Sequence, residues 1–179
     1  MIFTSGIICV PNPILLAHAV DVDFESPQKA TFQELTAQVE RPGREAVAAP
    51  QIGVKRRVFA VNSSRMGQFG GHSIIVNPTL LFPDEVLPEM NDVEYEGCLS
   101  IPGRTLPVVR CKTMLLKAFT VAGKPFEVTL QGRAARIAQH EYDHLNGILI
   151  TTRALEFAHN GAPRWQRHEI QRVVAKLKL

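Results

Sequence analysis

Apolar residues fall at helical spacing near both ends of the chain and in short β-branched runs between them, a pattern that predicts strands flanked by helices. Phe32, Leu35 and Val39 mark a short amphipathic helix over 31–39, with Thr31 and Glu34 placed as a capping box. Before it, Pro11-Asn12-Pro13 makes a turn, and 14–19 is a short apolar turn of helix or a loop on the core. Strand-like runs follow at 58–61 and 73–76, separated by a glycine-rich loop over 67–71. Further strands are expected in 106–121 and 126–130, the last two joined at Gly123-Lys124. Ala134, Ala135, Ile137, Ala138 and Leu145 then form one small apolar stripe, opened by Gly132 and closed by Gly147 where a C′ glycine belongs. The tail, 162–179, sets Ile170, Val173, Val174 and Leu177 among Arg164, Arg167, Arg172, Lys176 and Lys178, a basic amphipathic helix. The pattern predicts an α+β fold, with mixed or antiparallel sheets around the central helix and a C-terminal amphipathic helix, in a single domain 1–179.

The central helix carries chemistry. His140-Glu141-x-x-His144 puts two imidazoles four residues apart on one helical face, where they can converge on one divalent metal. Glu141 stands beside that point, placed to take and return a proton of water. The run continues as a metzincin protease would, up to the position where a third histidine is needed; there Ile150 stands, which cannot ligate. The third ligand must come from another His, a downstream acidic residue or a Cys thiolate. Cys98, in Glu96-Gly97-Cys98-Leu99-Ser100-Ile101-Pro102, sits at a strand end before a proline-containing turn and is the choice. The competing reading, a small buried hydrophobe, applies more strongly to Cys9 and Cys111, which lie inside apolar runs. His18 reads as a surface or packing residue, and His159 and His168 as solvated ones.

Composition narrows the class. The 179 residues are 45% hydrophobic and 21% charged, globular values, and the formal charge of +3 makes nucleic acid a weak default partner. The apolar stretch 1–10 is too short to span a bilayer and lacks a basic start, so neither a signal peptide nor a membrane span is expected. Three scattered cysteines do not make a disulfide framework and fit a reducing cytoplasm. Residues 43–53 on their own read as a small-residue loop with a solvent-facing Gln51.

Three separated stretches then resemble one family. Residues 44–51 (Arg-Glu-Ala-Val-Ala-Ala-Pro-Gln), 96–100 (Glu-Gly-Cys-Leu-Ser) and 139–144 (Gln-His-Glu-Tyr-Asp-His) are similar, in order, to the three signatures of the peptide deformylases, and Pro11-Asn12-Pro13-x-Leu15 to the family's opening. The resemblance implies a hydrolase that removes the formyl group from N-formyl-methionyl nascent peptides. It implies Cys98, His140 and His144 as ligands of one divalent metal, Fe²⁺ in the cell and Zn²⁺ or Ni²⁺ as purified. Glu141 would be the acid–base group, with the Leu99 backbone N–H and the Gln51 side chain as oxyanion donors. Glu96 and Asp143 are expected to brace the imidazoles, Ala46 and Gly97 to hold an extended peptide, and Ile137 to line the methionine pocket. A monomer that meets the ribosome through its basic tail is also implied. Arg44 and Ala46 depart from the family's glycines, Glu45 replaces an apolar residue, and Arg104 stands one place before the family's arginine, at Thr105. Strain or a blocking methyl at Ala46 is therefore expected, and with it weak or altered activity on another formylated substrate, or a non-catalytic binding role.

Overall fold

The computed structural model describes residues 6–26, 28–62, 67–83 and 90–177. The first half of the apolar stretch 1–10 and Lys178 of the basic tail lie outside the described residues. Five strands form one antiparallel sheet: β1 (Ala46–Ala48), β2 (Val58–Val61), β3 (Ile74–Leu81), β6 (Thr113–Phe119) and β7 (Pro125–Gln131), in the order β1-β2-β3-β6-β7. β4 (Asn91–Cys98) and β5 (Ile101–Cys111) make a separate antiparallel hairpin. Four helices are described: α1 (Lys29–Val39), α2 (Gly132–Leu145), α3 (Ile150–Asn160) and α4 (Arg164–Ala175), with 3₁₀ turns at Pro13–Leu16 and Ala49–Ile52. The α+β expectation holds, and every strand pairing of the two sheets is antiparallel.

The sequence of β2 shows how the layers are set. All four residues of Val-Phe-Ala-Val are buried because alternate side chains meet different helices. Phe59 and Val61 join a core with Ala135 and Ala138 of α2, whereas Val58 and Ala60 join one with Leu35 and Val39 of α1. The alanines of α2 keep its axis close to the sheet. A further core, built from Ile101, Leu106 and Val108 of β5, Ile150, Ala154 and Ala158 of α3 and Ile170 of α4, fills the space under the hairpin. Val173, Val174 and Leu177 pack on that core while Arg164, Arg167, Arg172 and Lys176 stay exposed, so the tail closes the fold with its apolar side.

Several local expectations change. α1 starts at Lys29, with Gln28 as N-cap and no side-chain cap; the 31/34 capping box does not form, and the Glu34 carboxylate instead accepts from Gln38 Nε2 at 2.6 Å. The run 106–121 is two strands in two different sheets, divided at Lys112, where the chain leaves the hairpin. α3 carries Ile150, Ala154, Phe157 and Ala158 at helical spacing and had no counterpart in the sequence reading.

The end of α2 is held by a Schellman motif: Ile148 N–H donates to Asp143 O at 2.9 Å and Gly147 N–H to His144 O at 3.3 Å. Gly147 has φ +69°, and a Cβ there would collide with the Leu16 carbonyl of the first 3₁₀ turn. Gly147→Ala is expected to destabilise the protein by about 2 kcal/mol or more, read as a lowered denaturant midpoint with an unchanged slope.

Candidate metal centre

α2 brings His140 and His144 together with ring centroids 5.0 Å apart. Cys98 ends β4 at a register shift between Gly97 and Cys98, which interrupts the ladder and turns the thiol toward the helix. Its Sγ lies 3.3 Å from His144 Nε2, and the ligand atoms of Cys98, His140 and His144 all lie within 4.8 Å of one another. Burial opposes ionisation of Cys98, yet the facing imidazoles of His144 and His140 hold its thiol well below the usual range. Burial likewise pulls His140 down, but Cys98 and Glu96 hold it well above its ordinary value. One soft thiolate and two imidazoles are a donor set suited to a divalent transition-metal ion. Glu141 lies beside them, buried, its carboxyl pushed up by desolvation, and its Oε2 has no hydrogen-bond partner among the described residues.

Behind the imidazoles runs a network of buried charge. His140 Nδ1 lies 3.0 Å from Glu96 Oε2, which leaves Nε2 as the nitrogen that could bind an ion. Arg110 donates to both Glu96 oxygens at 3.0 Å, and Arg136 Nη1 donates to Oε1 at 2.7 Å. Of the two carboxylates expected to brace the imidazoles, Asp143 is corrected here: it hydrogen-bonds to neither ring. Its carboxylate takes Arg110 at 2.5 Å and Arg153 at 2.6 and 2.9 Å, and His144 Nδ1 has no partner among the described residues. Asp143 therefore reaches the site indirectly, through Arg110 and Glu96 to His140. Arg110, Arg136 and Arg153 were not singled out from the sequence. The available signal was an arginine inside an apolar strand or an alanine-rich helix face, which requires buried carboxylates nearby.

Glu96→Gln keeps the shape but weakens this brace, and is expected to cost about 10- to 100-fold in metal affinity, measured by chelator competition. The same residue ties stability to pH. Burial raises the Glu96 carboxyl, but the bonds from His140 and Arg110 win and hold it far below its ordinary value of 4.5. A depressed folded value means that the stabilisation is present above 4.5 and is lost as the pH falls below it. Glu96→Gln should flatten the acid limb of the stability–pH curve.

The donors open onto a cleft of about 640 Å³ between β1, the β4–β5 turn and α2, whose lining includes Ala46, Gln51, Gly97, Leu99 and Ile137. Gln51 is only 2% exposed, which overturns the solvent-facing reading. Its Oε1 accepts from Ala48 N–H at 2.9 Å, and its Nε2 reaches Ser100 Oγ at 3.2 Å and Cys98 Sγ at 3.9 Å. Ala46 belongs to an extended strand and lacks the positive φ for which strain was expected. Arg44 is buried and turned away toward the Gln38 side chain and carbonyl on α1. Glu45 forms a two-pronged ion pair with Arg133 of α2 at the cleft.

A thiol at a strand end, two histidines one helical turn apart and a buried carboxylate at the floor of a cleft define the class: a metal hydrolase site. The polypeptide deformylase family profile matches residues 4–159. Peptide deformylase 1 of Clostridium perfringens is 40% identical over 104 residues, 58% of this chain and 65% of that one. The peptide deformylase of Thermotoga maritima is 34% identical over 143 residues, 79% of this chain and 82% of that one. Its crystal structure superposes with a TM-score of 0.71 at 34% identity, covering 82% of this chain and 95% of that one. A peptide deformylase from Legionella pneumophila superposes at 0.72 with 29% identity, over 96% and 94% of the two chains. The chain belongs to the polypeptide deformylase family.

Proposed function

We propose that this chain removes the N-formyl group from formyl-methionyl nascent peptides, releasing formate, at the Cys98–His140–His144 cluster. The observation that carries the reading is the convergence of those donors within 4.8 Å beside the buried Glu141. The three side chains would hold one divalent ion, Fe²⁺ in the cell and Zn²⁺ or Ni²⁺ as purified. When bound, such an ion polarises a carbonyl and makes water acidic enough to supply hydroxide near neutral pH. Glu141 takes the proton of the attacking water and hands it to the departing amine, a role suited to a carboxyl pushed up by burial. Gln51 Nε2 and the Leu99 N–H are the donors for the oxyanion that forms at the formyl carbon. Backbone at Ala46 and Gly97 holds the peptide extended, and Ile137 flanks its first side chain.

The chain works as a single-domain monomer in the cytoplasm and meets the ribosome through the exposed arginines of α4; none of its described helices is long and apolar enough to cross a membrane. The test is formate release from formyl-Met-Ala-Ser beside acetate release from acetyl-Met-Ala-Ser and cleavage of a longer unblocked peptide. Release from the formyl peptide alone supports the reading, whereas cleavage inside the longer peptide would make the site a protease. A second reading, preference for another formylated substrate, is favoured by the charged Glu45–Arg133 pair lining the cleft.

A further inference from the structure

The cleft is far more polar than a pocket for a thioether requires. Arg133, Ile137 and Glu141 follow one another at four-residue intervals, so they line one face of α2 inside the same cleft. With a rise of about 1.5 Å per residue, Arg133 stands roughly 6 Å beyond Ile137, away from Glu141. A side chain that enters beside Ile137 therefore ends at Arg133. Arg133 spends Nε and Nη2 on the two oxygens of Glu45, and its Nη1 has no acceptor among the described residues. Both Glu96 oxygens are taken by arginines and His140. Arg136 is committed to Asp92, Glu94 and Glu96, while Arg104, exposed at the rim, has no ion pair among the described residues. The cleft wall thus has hydrogen-bond donors to spare and its Glu45 and Glu96 oxygens already engaged.

We infer that the Glu45–Arg133 pair is the specificity element for the first residue of the substrate, selecting a side chain of methionine's length that ends in a hydrogen-bond acceptor, such as methionine sulfoxide or glutamine, over methionine itself. Glu45, just before β1, fixes the guanidinium across the cleft, and Nη1 donates to the acceptor. A thioether sulfur is a weak acceptor and leaves that donor unmet. The inference rests on the formyl-peptide reading of the site, and its test separates the two.

Formyl-peptides that differ only at the first residue, carrying methionine, norleucine, methionine sulfoxide or glutamine before Ala-Ser, are compared by kcat/KM in the metal-loaded protein and in Arg133→Leu. The protein should favour the sulfoxide and glutamine peptides by about tenfold or more over methionine and norleucine, and Arg133→Leu should reverse that order. Calorimetric binding of the matching acetyl peptides, which needs no turnover, should rank them in the same order, and Arg133→Lys should retain part of the preference where Leu abolishes it. Absence of all turnover with the acetyl-peptide order intact would sink the deformylase reading and leave the pocket assignment standing. Turnover with methionine and norleucine preferred equally by both proteins would overturn the pocket assignment alone.

Discussion

Glu141→Ala is expected to keep its metal and lose its reaction. Glu141 carries no ligand atom of the Cys98–His140–His144 cluster, so metal content should stay as in the parent protein. Its carboxyl is the group placed to move a proton between water and the leaving amine, and such groups contribute about 10²- to 10⁴-fold in rate. The drop should appear in kcat with little change in KM, because the carboxylate acts on the reacting atoms and leaves the peptide's backbone contacts untouched. Glu141→Gln should fare no better than Ala, since an amide of the same shape cannot accept the proton. An unchanged kcat in either variant would remove Glu141 from the mechanism.

Cys98→Ala should abolish both metal retention and formate release. The thiol is 8% exposed and its ionised form faces both imidazoles, so its loss leaves two neutral donors, too few to hold a catalytic ion. Without the thiolate, His140 loses one of the two partners that hold it charged, so in the metal-free protein its titration should move down toward the ordinary histidine range. Histidine NMR resonances follow this directly. Elemental analysis that found a full complement of ion in Cys98→Ala would contradict the ligand assignment, whatever the activity.

What the sequence revealed of this site was what lies close along the chain. His140, Glu141 and His144 lie within five residues of one helix, and helical spacing alone places both rings on one face. Cys98 came from the local grammar of a strand end and from the match of its motif to a family. The buried charges did not emerge because their partners are far apart in sequence: Arg110 and Arg136 answer Glu96 across 14 and 40 residues, and only the fold brings them together. Asp143 was misjudged for the same reason, since adjacency to His144 along the helix turns its carboxylate toward Arg110 and Arg153, away from the ring. The strain expected at Ala46 supposed a positive φ, and an extended strand accommodates alanine without it. α3 is a different kind of miss, as its apolar spacing was present and went unread beside the louder motif that precedes it.

The deformylase reading of this chain requires one ion, held by Cys98, His140 and His144. The measurement that meets it most directly is titration of anaerobic, metal-free protein with Fe²⁺ while formate release from formyl-peptide is followed. Activity should rise in proportion to added ion and level off at one per chain, with the same titration flat in Glu141→Ala although the ion still binds. Formate release from the metal-free protein, or activity that levels off at some other stoichiometry, would contradict it.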